Sequence, residues 1–427
     1  MNHELLITYT CLLLLVFIVY QKKKKTFDTG GFLLLVYFIG SVFAVMIHED
    51  KFGEPSFFIP VIYLFFALMI SFTPFMKFNT KKTDVVFPVK KIITLLSWIF
   101  VISTLLGMAT SSTNVIEGLQ MVMLEETYGL DLYNNMTESV EGSGHFASNI
   151  PMIIMNAMYT FAALLLFVNM TYEKKNKLLI SLIAFCLFYG AIKYISIGER
   201  GGLVNRSLIV LVSYICMKDY LSESINKKVR KIGLVVGVLL LVPFMALTIS
   251  RFGNTNEGTT NSLFNYAGQG TVHFCQYALD NNGIRYGDRT VSLFKRIVGF
   301  PNTPHNFLER RAKYPQLKIN DEVFSTFVGD FVIDFGPVLA LLIIILFSLL
   351  LTSMVKMCNK RMKFHYFILL HFSMCAIVQG VSLFQYSDSG NLTIIFYLLM
   401  YIYLKNANVY VPKKVKALAV NNVSING

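Results

Sequence analysis

The residues of this chain best equipped for chemistry are a set of arginines, one histidine and a spaced pair of aspartates. Arg200 stands in Gly198-Glu199-Arg200-Gly201-Gly202, Arg206 follows just inside the next apolar stretch, and Arg251 closes the one after. Arginine suits phosphate because its planar fork donates two parallel charge-assisted hydrogen bonds. Three guanidiniums at the outer ends of consecutive helices can therefore converge on one anion. Taken singly, each has a plainer reading: Arg206 and Lys193 can snorkel to an interface, and Arg200 can pair with Glu199. His305 lies in Pro301-Asn302-Thr303-Pro304-His305-Asn306, and histidine is the side chain suited to proton transfer near neutral pH, although a loop histidine is more often a solvated polar residue. Further on, Val323, Phe324, Phe327, Val328, Phe331, Val332 and Phe335 mark one face of a helix, while Glu322, Thr326, Asp330 and Asp334 recur every four residues on the other. These carboxylates can serve as a base, orient sugar hydroxyls or pair with loop arginines, and Asp334 can also be a helix-start residue. Gly336-Pro337 then breaks or restarts the helix.

The elements that must position these residues belong in lipid. Of 427 residues 55% are hydrophobic and only 15% charged, and a mean hydropathy of +0.57 exceeds what a soluble surface allows. Apolar stretches between Leu5 and Leu404 predict an all-α polytopic membrane helix bundle of about eleven transmembrane helices. The first, Leu5 to Tyr20, is expected to be a retained helix, because its positive run follows it and no small-residue cleavage site does. Basic clusters at Lys22–Lys25, Lys77–Lys91, Lys174–Lys177, Lys218–Lys231, Lys356–Lys363 and from Lys405 alternate with connections nearly free of Lys and Arg. The Thr110–Asn149 connection is purely acidic, with residues such as Glu117 and Glu141. The positive-inside rule then puts the N-terminus outside and the C-terminus inside.

The expected division is residues 1–249 as spans one to eight, 250–336 as a large outer loop with an amphipathic helix, 337–404 as spans nine to eleven, and 405–427 as an inner tail. The loop carries Arg285, Arg289, Arg310 and other cations, and long loops are exempt from the orientation rule. A cation at mid-membrane costs roughly 2.5–3.5 kcal/mol, less near an interface, so charges kept there ask for a reason. A lipid-linked diphosphate at the outer surface is the ligand such cations fit. Four of the six cysteines, Cys11, Cys186, Cys216 and Cys375, fall in apolar stretches and Cys275 is expected to face outside, so neither a disulfide framework nor a zinc site is expected. No Asp-x-Asp, Gly-x-x-x-x-Gly-Lys or His-Glu-x-x-His occurs, so no metal or other cofactor is expected. No nucleic-acid partner is expected either, since the positive charge lies in clusters flanking apolar spans.

Taken together, Gly198 to Gly202, His305-Asn306 and Asp330 through Gly336, in a many-helix chain with a late large loop, resemble the Wzy-type O-antigen and capsular polysaccharide polymerases, relatives of the O-antigen ligases. The ligases share a His-Asn element that maps onto His305 and Asn306. They usually continue it with a glycine-rich stretch, where this chain has Glu309-Arg310-Arg311-Ala312-Lys313, which counts against a ligase. The resemblance implies a metal-independent glycosyltransferase of a bacterial inner membrane with its large loop in the periplasm. It would move a growing glycan from undecaprenyl diphosphate onto the next lipid-linked oligosaccharide repeat unit, with a chain-length regulator and a flippase as possible partners. Under it Arg200, Arg206 and Arg251 bind the diphosphate, and His305 is the favoured base ahead of Asp330 and Asp334. A polysaccharide flippase or other transporter is the rival from another class, although transporters often show repeated halves and helices broken at mid-membrane. A scaffold of an assembly complex is a further alternative.

Overall fold

The computed structural model describes residues 2–47, 58–124, 150–252, 258–319, 321, 323–358, 360–407 and 409–410. The side chains of Glu117 and Arg251, the acidic residues from Glu125 to Glu141, Glu322 and the tail beyond Tyr410 lie outside the description. Every apolar stretch read from the sequence is helical: α1 (Asn2–Lys24), α2 (Thr29–Val45), α3 (Phe58–Lys77), α4 (Lys90–Leu124), α5 (Ile150–Thr171), α6 (Lys177–Ser196), α7 (Arg200–Met217), α8 (Glu223–Phe252), α13 (Pro337–Cys358), α14 (Phe364–Gln379) and α15 (Asn391–Lys405). Among the described residues eight helices are long and apolar enough to cross a membrane, and α2 and α14 are apolar but shorter. Between α8 and α13 lie α9 (Gly258–His273), α10 (Ser292–Val298), α11 (Phe307–Lys313) and α12 (Thr326–Phe335).

Local chemistry sets the boundaries. Asp28 starts α2 by accepting from the Gly31 amide at 3.0 Å, and Asn176 starts α6 by accepting from Leu179 N at 3.2 Å. Gly198, at φ +74°, closes α6, and Gly336, at φ +78°, closes α12 just before Pro337 opens α13. Both glycines occupy a left-handed conformation that a Cβ would strain.

The described residues of the six basic clusters gather at one end of the bundle, around the connection between α3 and α4. Lys24 Nζ donates to Met76 O at 2.8 Å, Lys218 donates to Phe27 O, Thr80 donates to Asp219, and Lys90 Nζ reaches Lys174 O at 2.6 Å. A small sheet completes the set. Strand β1 (Asp84–Pro88) runs parallel to β2 (Arg361–Lys363) and antiparallel to β3 (Val409–Tyr410), tying the α13–α14 connection and the tail to the same end. The charge alternation in the sequence is thus one face of the fold. The starts of α13 and α15 lie at the other.

The long connection differs from expectation in its first third. Helix α9, continued by a π-helical turn from Phe274 to Ala278, packs against α2 and α3. A Cβ on Gly268 would stand 2.4 Å from Ala44 N, and the Phe274 ring stacks on Tyr63 with centroids 6.0 Å apart. Cys275 is fully buried, within electrostatic reach of Tyr9 in α1, which corrects the expectation that it faces outside. Asn265 and Gln269 dilute the apolar signal of α9, while Gly268 and Gly270 let it lie against neighbouring backbone, so hydropathy alone does not mark it as a packed helix.

Candidate functional site

The two glycines after Arg200 have a physical purpose. A Cβ on Gly201 would meet the Tyr266 hydroxyl at 2.0 Å, and one on Gly202 would meet the Tyr194 ring at 2.0 Å. The bare backbone at the start of α7 thus lets two tyrosines lie against it, and these hold the two arginines. Arg200 is buried with its guanidinium 5.0 Å from the Tyr266 ring centre and Nη1 3.5 Å from Thr248 Oγ1. Arg206 is half-buried; its Nη2 donates to Tyr194 OH and to Asn156 Oδ1, each at 3.0 Å, and its guanidinium lies 4.0 Å from the Tyr159 ring centre. Six residues apart, the two side chains leave α7 about 120° from each other. Arg200 faces α8 and α9, and Arg206 faces α5 and α6.

Arg206 is held by neutral groups only. Among the described residues no carboxylate forms an ion pair with it, and Lys193 stands within electrostatic range. Tyrosine hydroxyl, amide oxygen and two ring faces orient the fork without cancelling its charge.

His305 is exposed in an open cleft of about 600 Å³ lined also by Arg296, Phe300, Thr303, Glu309 and Lys313. Asn306 starts α11 by accepting from Glu309 N at 2.9 Å, while Glu309 Oε2 accepts from the His305 amide at 2.7 Å. The local sequence therefore fixes the backbone on both sides of His305 and leaves its imidazole open to the cleft. Among the described residues no hydrogen bond or ion pair joins that imidazole to Arg200, Arg206, Asp330 or Asp334.

Asp330 and Asp334 are brought together, but around arginines of the same loop. Arg285, almost wholly buried, donates from Nε to Asp334 at 2.7 Å, from Nη1 to Asp321 at 2.8 Å and from Nη2 to Asp330 at 3.4 Å. Arg289 reaches Asp321 at 3.2 Å and Asp330 at 3.1 Å. Arg310 joins Asp321 at 2.6 Å and grips both oxygens of Asp388 at 2.8 and 3.0 Å. Remaining lone pairs are met by protein: Asp334 accepts from the amide and hydroxyl of Thr290 at 2.7 Å each, and Asp330 from Phe384 N at 2.7 Å.

Burial raises the Asp321 carboxyl, but Arg289, Arg285 and Arg310 outweigh it and hold the pKa below the ordinary value. For Asp330 burial wins over Arg289 and Arg285, and its pKa is raised. Of the functions open to Asp330 and Asp334, this geometry shows pairing with arginines, and both are fully buried. Asp321 and Asp388, which complete the network, were not among the residues singled out from the sequence. Asp321 lies one position before the four-residue series, and Asp388 sits across the chain between α14 and α15, joined to Arg310 only by folding.

Among the described residues no cluster of three or more His, Cys, Asp or Glu is placed to hold a metal ion. Compared with known proteins, the chain matches no family model, no curated protein and no solved structure.

Proposed function

We propose that this protein polymerises undecaprenyl-diphosphate-linked oligosaccharide repeat units into O-antigen or capsular polysaccharide at the outer leaflet of a bacterial inner membrane. In this reading all eleven apolar helices cross the bilayer, the N-terminus and the 250–336 region are periplasmic, and the basic face with the C-terminal tail is cytoplasmic. The observation that supports it most is the contrast between cations. Arg285, Arg289 and Arg310 are neutralised by aspartates, whereas Arg206 is held half-open by neutral partners and keeps its charge for a ligand.

The reaction needs little else. The acceptor hydroxyl attacks the anomeric carbon of the donor, its proton passes to a base, and the bond from that carbon to the diphosphate oxygen breaks, leaving the charge on the diphosphate. In this reading Arg206 meets that growing charge directly, and Arg200 and Arg251, at the start of α7 and the end of α8, add to the positive potential around it. His305 is the base in this reading, because its imidazole is open while Asp330 and Asp334 are enclosed.

The decisive substitution is Arg206→Lys, which keeps the charge and loses the fork. Membranes carrying Arg206→Lys, at normal protein level, should yield shortened polymer, and Arg206→Ala should yield less still. Normal polymer from Arg206→Ala would overturn the reading. Wild-type membranes that move lipid-linked repeats without lengthening them would favour a flippase, and transfer only onto a lipid A core would favour a ligase.

A further inference from the structure

Helix α10 ends in an exposed apolar tip that the ion network does not use. Ile297, Val298 and Phe300 are 65%, 73% and 57% exposed, and the chain turns at Gly299, with φ +85° and open space around it. Soluble surfaces tolerate scattered apolar residues, but three large ones at a single turn mark a contact surface.

The base of α10 is tied to the starts of two apolar helices. Arg285 N donates to Ile333 O at 2.9 Å and Gly287 N to Asp334 O at 3.3 Å, just ahead of α13. On the other side Leu293 N donates to Asn391 Oδ1 at 3.1 Å, and Asn391 Nδ2 to Thr290 O at 2.8 Å, at the first residue of α15. From Leu293 to Val298 the helix advances about 7.5 Å. The tip therefore stands within one headgroup thickness of the start of α15, since the polar layers add roughly 5–8 Å to each side of a bilayer core. At the start of α13, Val338, Leu339 and Leu342 are likewise exposed.

Charge points the same way. Arg296, next to the tip, uses Nη1 for the carbonyls of Pro304 and His305, while its Nε and Nη2 have no protein partner among the described residues. A lipid phosphate fits those donors, and acyl chains fit the side chains beside them.

We infer that Ile297, Val298 and Phe300 insert into the membrane interface beside α13 and α15, with Arg296 on a lipid phosphate. This goes beyond the proposed reaction and rests only on α13 and α15 crossing a membrane. Because Arg296 and Phe300 also line the cleft of His305, the insertion holds that cleft at the lipid surface.

The test uses the full chain in vesicles of phosphatidylethanolamine and phosphatidylglycerol. Trp98 is the only tryptophan, so Trp98→Phe allows a single probe at Val298→Trp, with Gln316→Trp as an exposed reference. The Val298 probe should emit at shorter wavelength than the reference and lose about half its intensity when lipids brominated along the acyl chain are included. It should also resist acrylamide. Acrylamide quenching equal to that at Gln316, with no effect of bromine, would overturn the inference. So would protection from both quenchers, which would mean that protein covers the tip. These readouts need no polymerase activity, so they stand or fall separately from the proposed function.

Discussion

Asp321 is the carboxylate on which the arginine–aspartate network turns, and Asp321→Asn tests it. Its two oxygens receive Arg285 at 2.8 Å, Arg289 at 3.2 Å and Arg310 at 2.6 Å, all buried. Removing one partner of a buried ion pair costs about 3–5 kcal/mol, because the charge left behind stays desolvated. Asparagine keeps one acceptor oxygen, which puts the expected cost at the lower end, about 3 kcal/mol. At 1.36 kcal/mol per decade this is roughly a hundredfold rise in the population of the opened loop. Hydrogen–deuterium exchange of peptides covering α12 reads that population directly when opening is fast and reversible. Exchange there should accelerate by about two orders of magnitude, while peptides in α5 stay unchanged. Asp280→Asn, which breaks the exposed pair with Lys318, is the control and should have no measurable effect. Wild-type exchange in α12 of Asp321→Asn would show that the network does not hold the loop.

The same network predicts a pH dependence with two opposing parts. Asp330, with its pKa raised, takes up its proton first on acidification, and the folded loop gains, because it binds that proton more tightly than the unfolded chain does. Asp321, with its pKa lowered, contributes stability above about pH 4 and loses it as pH falls through its depressed value. Protection of α12 should therefore hold from neutral pH to about pH 4 and fall below it. Gly202→Ala drives a Cβ into the body of the Tyr194 ring and should displace its hydroxyl from Arg206, lowering polymer formation as Arg206→Lys does, at unchanged protein level. Gly268→Ala meets backbone that cannot give way and should cost about 1–3 kcal/mol, seen as earlier thermal exposure of buried Cys275 to a thiol dye. His305→Ala should reduce polymer formation by about 10² to 10⁴ if its imidazole is the base, and normal polymer would remove it from that role. Cysteines at Gln316 and Lys227, with Cys11 and Cys358 replaced by Ser, should react with an impermeant reagent from outside and from inside respectively. Labelling of Lys227→Cys in sealed cells would reverse the proposed orientation.

Much of the bundle was legible from residue type alone. Long apolar runs must bury their backbone polar groups internally in lipid, so each became a helix, and punctuation such as Gly336-Pro337 placed breaks where the structure has them. The alternation of lysine clusters also anticipated which connections share a face, because it records a charge asymmetry that folding does not change. Local order around His305 was equally readable, since Asn306 and Glu309 are a cap and its reciprocal partner three residues on. What pattern could not decide was how side chains meet across the chain. The four-residue spacing put Asp330 and Asp334 on one helix face, but only the tertiary structure turned that face inward onto Arg285 and Arg289 and added Asp321 and Asp388. Likewise Arg200 and Arg206 share one helix, yet their different neighbours follow from where Tyr266 and Tyr194 come to rest on Gly201 and Gly202. A charge's function depends on whether a counter-charge reaches it through space, and such distances are fixed by packing rather than by order along the chain.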